Sequence, residues 1–348
     1  MAMSVIAVLS VTPMRTSGAS PTPAEEYLDL VDAYRAGETR AAIQALSNRD
    51  DGWIESAYSS ALKSATPWPE GRAEAAVLLH TEVVTGDWVL PSHVPVHLNA
   101  ARRLMASTRE WTRNRFRHDW LLVLCWHFQG GFELGAALPW VDELRDDFGD
   151  DPETDLVAGS FYEVLGWSAW SPGSLTWSRG SRTLSALPNH TQREGLEAAA
   201  AAFERATRQP STRDEASVRL GRVLAELGRN DAARTRLAPL IDGASEKRWR
   251  YLAAVFTASA EASAGRAEAE AAAYSKAAEL MPGCPTPLVG LMALSRRRGE
   301  ATRAAALAQE LTSSAEHRCN DPWWSYRFGP SPERLPQLLE HMRKDSAP

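Results

Sequence analysis

The chain has 348 residues, of which 44% are hydrophobic and 24% charged, and its formal net charge is -6. This acidic balance argues against a general nucleic-acid-binding protein, which usually needs a basic surface. No stretch approaches the roughly 20 consecutive apolar residues of a membrane-spanning helix, so we expect no transmembrane segment.

The N-terminus carries some features of an export signal. Residues 5–11 (VIAVLSV) form a short apolar run, and small residues follow at Ser17, Gly18 and Ala19, where a signal peptidase could cut. Residues 1–4 contain no Lys or Arg, although a signal peptide usually begins with positive charge. The pattern favours a periplasmic or secreted protein over a cytoplasmic one with a disordered N-terminus, and residues 1–23 are expected to precede the folded part.

Helical periodicity dominates from residue 24 onward, and no alternating strand pattern is present. The first block of predicted helices covers residues 24–165. Residues 166–190 then combine three tryptophans with many Ser, Gly and Pro residues, which predicts an irregular insertion. A second helical block covers residues 191–316, and residues 317–348 form a Pro-Trp-Trp tail with a last helix. The predicted helices are 25–35, 39–46, 53–63, 72–85, 97–106, 112–128, 132–148, 154–165, 192–209, 213–227, 230–241, 246–264, 266–281, 287–298, 300–314 and 332–344.

Three glycines in the second block are regularly spaced. Gly228, Gly265 and Gly299 are 37 and 34 residues apart, and each lies between two alanine-rich helical patterns. Periods near 34 residues are typical of solenoids in which each helix pair buries its apolar face against its neighbours. The spacing therefore predicts helix-turn-helix repeats with glycine in each turn.

The residues around these glycines resemble the tetratricopeptide repeat (TPR) family, whose pattern is W-x2-L-G-x2-Y, then A-x3-F, then P. The resemblance is good over residues 192–314, weaker over 24–165 and absent over 166–190, and Glu270 departs from it by replacing the usual alanine. The matching positions are Leu220-Gly221 with Ala233-x3-Leu237, Tyr274 with Ala277 and Pro282, Ala304-x3-Ala308, Ala199-x3-Phe203 with Pro210, and Ala136-x3-Trp140.

The resemblance implies an all-α solenoid that binds a protein or peptide on its concave face and has no catalytic activity of its own. The tail DPWWSYRFG, residues 321–329, is similar to the C-terminal end of uncharacterised, Acidobacteria-like bacterial TPR proteins that are often exported. We expect Trp323, Trp324 and the last helix to cover the exposed end of the final repeat, because a terminal repeat has no neighbour.

An arginine series on one predicted helix is the first candidate binding site. Arg109, Arg113 and Arg117 lie at i, i+4 and i+8 and therefore on one helix face. TPR domains often hold a partner's carboxylate with basic side chains, and the planar guanidinium group suits that contact. The alternative, which is more common, is a solvated helix face whose aliphatic stems cover apolar neighbours.

Tryptophans supply the second candidate site. Ten of the 13 lie between residues 53 and 177, and Trp167, Trp170 and Trp177 lie in the predicted insertion. Large apolar side chains on an irregular segment dock either on the protein itself, which we favour, or on a partner. Trp120, Trp126 and Trp140 lie in apolar helices and are expected to fill the core.

No metal, cofactor or catalytic motif is found. The three cysteines have no metal-ligand spacing. Cys284 and Cys319 lie about one repeat apart, and equivalent positions in stacked helices are about 8–10 Å apart, so a disulfide is not favoured although both segments look like loops. Cys125 is expected in the core. P-loop, G-x-G-x-x-G, G-x-S-x-G and H-E-x-x-H patterns are all absent from the sequence.

The leading function is therefore a protein-protein interaction scaffold. One alternative is carbohydrate capture by the tryptophan-rich N-terminal half, since aromatic rings stack on sugar rings. Another is a helical hydrolase, which predicts that polar groups converge near Arg113, His118 and Asp119. Glycan titration followed by tryptophan fluorescence would separate the first alternative from a peptide-binding protein.

Overall fold

A computed structural model describes residues 20–64, 68, 71–86, 88–130, 134–166, 192–313, 319–327 and 334–346. Within these ranges every regular element is a helix, which confirms the all-α class. The helices are α1 (Pro23–Arg35), α2 (Thr39–Ser47), α3 (Asp51–Ser64), α4 (Arg72–Thr85), α5 (Val94–Met105), α6 (Glu110–Gly130), α7 (Leu134–Phe148), α8 (Pro152–Leu165), α9 (Gln192–Ala206), α10 (Pro210–Glu226), α11 (Asn230–Gly243), α12 (Lys247–Ser263), α13 (Ala267–Leu280), α14 (Pro285–Arg297), α15 (Ala301–Ser313), α16 (Pro322–Arg327) and α17 (Arg334–Ser346).

The glycine turns are confirmed. Gly228, Gly265 and Gly299 have φ of 77°, 73° and 73°, a left-handed conformation that other residues adopt only with strain. In each turn the residue after glycine donates its backbone N–H to a carbonyl in the last turn of the preceding helix, as Arg229 does to Leu224 at 2.8 Å. Each turn therefore ends a helix and reverses the chain within a few residues.

The chain divides into two compact units with a boundary between Ser107 and Thr108. This boundary lies inside the segment 24–165 that the sequence groups into one helical block. Unit 1 contains α1–α5, and unit 2 contains α6–α17. In unit 1, α4 is the central helix, since it packs against α1, α2 and α5 and is buried along almost its whole length.

Unit 2 is built from successive helix pairs, α6/α7, α8/α9, α10/α11, α12/α13 and α14/α15. The first helices of neighbouring pairs also contact one another, α6 with α8, α8 with α10, and α10 with α12. We call the surface formed by α6, α8, α10, α12 and α14 the first-helix face. Successive packing of this kind is compatible with a solenoid, and the TPR type stays a prediction.

The C-terminal helices do not cover the end of the last pair, so that expectation was wrong. α16 packs against α12, and α17 packs against α6 at the opposite end of the unit. Trp323 contacts Phe256 of α12 with a ring-centroid distance of 5.6 Å, whereas Trp324 is 50% exposed. The chain therefore turns back along the first-helix face after α15.

Candidate partner-binding face

The first-helix face of unit 2 is occupied by the protein's own C-terminal segment, which we define as residues 319–327 together with 334–346. The segment begins beside the N-terminus of α14, continues against α12, α10 and α8, and ends on α6. It therefore meets the first helices in the reverse of their chain order. The contacts are of three kinds: a covalent bond, an aromatic contact over buried charges, and a polar contact with α6.

The covalent bond joins Cys284, just before α14, to Cys319. Their Cα atoms lie 5.0 Å apart, so the expectation that a disulfide is not favoured was wrong. The prediction failed because it placed both cysteines at equivalent positions of stacked repeats. Cys319 instead lies in the returning segment, where its backbone N–H donates to the carbonyl of Gly283 at 3.5 Å.

Asp321 fixes the start of α16 next to this disulfide. Its carboxylate, only 2% exposed, accepts hydrogen bonds from the Tyr251 hydroxyl of α12 and from the backbone N–H of Thr286 in α14, both at 3.0 Å. The same carboxylate accepts from the backbone N–H of Trp323, as a helix-capping residue does. Burial and the neighbouring charge of Asp321 raise the pKa of Tyr251, so its hydroxyl stays protonated and donates.

Tyr326 of α16 makes the aromatic contact with α8 and α10. Its hydroxyl donates to the carboxylate of Glu163 in α8, and its ring lies 4.6 Å from the guanidinium carbon of Arg219 in α10. Arg222, one turn further along α10, lies 5.1 Å from the same ring and 5.3 Å from the ring of Trp323. Two arginines of the face are thus covered by aromatic rings, an arrangement that favours cations through the ring quadrupole.

A buried ionic network underlies this contact. Glu163 accepts from Arg219 at 3.2 Å and from Arg222 at 3.0 Å, and Arg219 also donates to Glu215 at 3.0 Å. Burial alone would raise the pKa of the Glu215 carboxyl, but the charges of Arg219 and Arg334 outweigh it and hold the pKa below its usual value. Arg334, the first residue of α17, lies 3.6 Å from Glu215 and 3.3 Å from Glu153. The network therefore joins α8 and α10 to both helices of the C-terminal segment.

Of the predicted arginine series, Arg113 and Arg117 lie on α6 and Arg109 immediately precedes it, and the three side chains bind different partners. Arg109 donates to the backbone carbonyl of Asp345 in α17 and lies 5.0 Å from the ring centroid of Trp111. Arg113 donates to the carbonyl of Thr108 at 2.8 Å. Arg117 pairs with Glu143 and Asp147 of α7, and although burial opposes it, these hydrogen bonds raise its pKa. Arg109 alone of the three contacts the C-terminal segment.

Two further α6 residues, Arg115 and Asp119, complete the contact with α17. His341 hydrogen-bonds through Nδ1 to Asp119 at 2.9 Å, and Arg115 contacts both His341 and the carboxylate of Asp345. Arg115 belongs to the same arginine-rich stretch, residues 109–118 (REWTRNRFRH), but it does not share the i, i+4, i+8 spacing of the predicted series. The sequence contained no sign that Glu163, Arg219 and Tyr326 meet.

An open pocket of about 360 Å³ continues the first-helix face beyond Trp323. Its lining comes from α10, α12, α13, α14 and Trp323 of α16, and it includes the apolar residues Phe256, Tyr274 and Val289 and the charged residues Arg222 and Glu226. Val289 in this lining is 44% exposed. This part of the face can accept an apolar side chain.

The remaining predicted residues are placed as follows. Trp167, Trp170 and Trp177 lie outside the described residues. Trp120 and Trp126 are 1% exposed and Trp140 is 9% exposed, which confirms their place in the core. Cys125 is also buried, as expected.

The polar residues that the hydrolase alternative would need contact neighbouring side chains of the fold. His118 lies 3.4 Å from Asp119 and 3.5 Å from Asp151, and Asp119 is covered by His341. Burial opposes protonation of His118, but the two neighbouring carboxylates raise its pKa to about 9.

Compared with known proteins, the chain matches no protein-family model and no curated protein. Among the described helices, none has both the length and the apolar character needed to cross a bilayer. Across the described ranges, His, Cys, Asp and Glu side chains form no group of three or more arranged to hold a metal ion.

Proposed function

We propose that this protein is a TPR-like, non-catalytic interaction scaffold that binds an extended protein or peptide segment on the first-helix face of unit 2. The observation that carries the proposal is the C-terminal segment itself. The face holds a length of chain across its first helices by buried aromatic, charged and hydrogen-bonding contacts, so its surface chemistry suits a polypeptide ligand.

The open pocket supports a specific position for the partner. Its apolar walls and its two charged residues, Arg222 and Glu226, match the usual composition of a binding pocket. In such a pocket apolar contact supplies affinity and a few polar groups fix the orientation of the ligand. The partner is expected to insert an apolar side chain between Tyr274 and Val289 and to continue toward Arg222 and Glu226.

The disulfide supports an oxidising location such as the periplasm or the cell exterior, because disulfides persist there and are rare in the cytosol. This agrees with the preference for export drawn from the N-terminal sequence. The partner is therefore expected to be an envelope or secreted protein.

A matched pair of variants tests the proposed site. Peptides selected from a random library on the oxidised wild-type protein are titrated against Val289→Glu, which places a charge in the apolar pocket, and against Leu90→Glu. Leu90 is 68% exposed in unit 1 and serves as the control for adding a charge to an exposed aliphatic position. We expect Val289→Glu to weaken binding by about tenfold or more, which corresponds to burying an unpaired charge, while Leu90→Glu leaves it unchanged.

Peptides that bind Val289→Glu as tightly as wild type would exclude the pocket. Failure to select any peptide would count against the scaffold function itself. Circular dichroism of both variants checks that helix content is retained, so that loss of binding reports on the pocket.

A further inference from the structure

We propose that the C-terminal segment is a displaceable ligand of the first-helix face, held in place by the Cys284–Cys319 disulfide, and that its release opens a second partner site formed by Glu163, Arg219 and Arg222. The partner that this site fits is a chain segment with the chemistry of residues 320–346. Such a segment has a Trp/Tyr pair one helical turn apart, followed by a helix with an acidic residue near its end. The inference rests on the proposed function, since it names a regulated part of the same face.

The C-terminal segment packs on the helix pairs of unit 2 without belonging to any one of them. Tyr326 is 1% exposed and Met342 is fully buried, yet each is buried against helices distant in sequence rather than within its own pair. The polar contacts of α17 with α6 lie in its C-terminal half, through His341 and Asp345, beside the buried side chains of Leu339 and Met342. The side chains of Arg115 and His341 in these contacts are 59% and 42% exposed. Ion pairs with exposed members contribute little to stability, so water or a competing ligand can replace them.

The second argument concerns the position of the covalent bond. The disulfide lies at the first residue of the described segment, next to Asp321, so it holds the start of α16 against α14 and α12. A chain fixed at that point presents Trp323 and Tyr326 to the face at high effective concentration. Cleavage of the bond removes this restraint and leaves noncovalent contacts alone to hold the segment.

The chemistry of release is ordinary thiol-disulfide exchange with a dithiol reductant. Cys284 is 2% exposed whereas Cys319 is half-buried, so the attacking thiolate reaches the Sγ of Cys319 more easily. The S–S bond breaks, and its electron pair leaves on the Sγ of Cys284, which takes up a proton. The second thiol of the reductant then displaces Cys319, which also becomes a thiol, and the dithiol is oxidised to a cyclic disulfide.

Charge complementarity defines the competing partner. Arg219 and Arg222 are balanced by Glu163 and Glu215, so the site offers a carboxylate acceptor for a tyrosine hydroxyl and two guanidinium faces for aromatic rings. Arg109, just before α6, and Arg115 of α6 offer donors to an acidic helix end. An apolar segment without a tyrosine would leave the Glu163 carboxylate with its two arginine donors and without the third, hydroxyl donor, a loss that the buried position penalises.

Hydrogen exchange on the full-length protein tests the restraint without any partner. Exchange of amides in residues 319–327 and 334–346 is measured in the oxidised protein, in the protein treated with dithiothreitol, and in Cys319→Ser. We expect reduction and Cys319→Ser each to speed exchange there by about tenfold or more, with α1–α5 unchanged. Dithiothreitol added to Cys319→Ser is expected to have no further effect. Exchange that stays within twofold of the oxidised protein overturns the proposal.

Binding in trans tests the partner chemistry. A fluorescent peptide of residues 320–346 is titrated against oxidised wild type and against full-length Cys319→Ser/Tyr326→Ala, whose own segment is weakened. We expect the peptide to bind the double variant at least tenfold more tightly than oxidised wild type. A peptide carrying Tyr326→Ala is the control and is expected to bind weakly to both.

Opening of the segment without binding of the native peptide would show an intramolecular packing contact only and would overturn the partner site. Arg222 and Trp323 also line the open pocket, but neither experiment replaces Val289, which lines the pocket and is varied only in the test of the scaffold function. Failure to select peptides on the oxidised protein would contradict the scaffold function, whereas unchanged exchange on reduction would contradict this regulated site.

Discussion

At the scale of single residues, Gly221 determines how closely α10 approaches α11. A Cβ atom at this position would lie 2.4 Å from Cγ of Leu237, which is fully buried and has no space to move. The Leu-Gly step that resembles the TPR pattern therefore has a physical basis here. Close approach of the two helices requires a residue without a side chain.

Gly221→Ala is expected to destabilise the protein by about 1–2 kcal/mol, because overpacking costs about 1–3 kcal/mol and outweighs the better helix propensity of alanine. Gly243→Ala is the matched control. Nothing lies within 4 Å of its added Cβ, and the residue lies at the end of α11. Urea unfolding of both variants measures the difference, and equal stability of the two would contradict the proposed role of Gly221.

The residue scale also shows why the site was only partly predictable. The arginine series was found from its helical spacing, and the structure places Arg113 and Arg117 on α6 and Arg109 just before its first residue. Spacing on one helix reports which side chains share a face and does not report what covers that face. Arg117 bonds within its own helix pair, whereas Arg109 meets a residue 236 positions away.

At the scale of helices, local signals predicted most of the architecture. The glycine turns follow from the left-handed conformation that glycine accepts, and prolines in the first turn of α8, α10 and α14 mark helix starts. These signals depend on neighbours within a few residues. The path of α16 and α17 depends instead on contacts such as Tyr326 with Glu163, 163 residues apart, for which the sequence holds no local signal.

Packing between helices is expected to depend strongly on Glu163, because this buried carboxylate neutralises two arginines of α10. Glu163→Gln is expected to destabilise unit 2 by about 3–5 kcal/mol, the usual cost of leaving a buried charge without its partner. Glu204→Gln in α9 is the control, since Glu204 is 56% exposed in its pair with Arg236 and such pairs contribute about 0–1 kcal/mol.

Urea unfolding followed by circular dichroism gives both values. Similar losses for the two variants would show that the Glu163 network does not differ in strength from a surface ion pair. The Glu204→Gln result also reports whether removal of a carboxylate by itself changes the net-charge balance enough to matter.

At the scale of the whole molecule, the two units are expected to respond to pH with opposite signs. In unit 1, His80 and His97 face each other with Nδ1 atoms 2.9 Å apart, and Tyr27 and Tyr58 contact the His80 ring. Burial lowers the pKa of His97 to about 4; the charge of Asp51 opposes this shift and His93 adds to it. Burial, together with the neighbouring His97, also lowers the pKa of His80. In unit 2 the pKa of His118 is raised to about 9.

The sign follows from linkage between protonation and folding. A histidine with a depressed pKa contributes stability above its unfolded pKa of about 6.5, and this is lost as the pH falls toward 4. A histidine with a raised pKa contributes stability below about 6.5, and this is lost as the pH rises toward 9.

Hydrogen exchange resolved by peptide, at several pH values and corrected for intrinsic rates, measures both units in one experiment. We expect α4 and α5 to lose protection below about pH 6.5 and α6 to lose protection above it. His97→Phe is expected to reduce the acid sensitivity of unit 1 and to leave the part that comes from burial of His80, whereas His93→Gln, at a more exposed position, is expected to leave most of it. Parallel pH profiles in the two units would contradict the prediction.

The Cys284–Cys319 bond also closes a covalent ring around α14 and α15. A pulling force applied to the two chain ends passes from Cys284 directly to Cys319, and the residues between them carry none of it. In single-molecule stretching the oxidised chain is expected to be shorter at full extension by about 120 Å, given about 3.5 Å for each of the enclosed residues. Addition of dithiothreitol should restore that length, so the last helix pair of the array is shielded from mechanical load for as long as the ring stays closed.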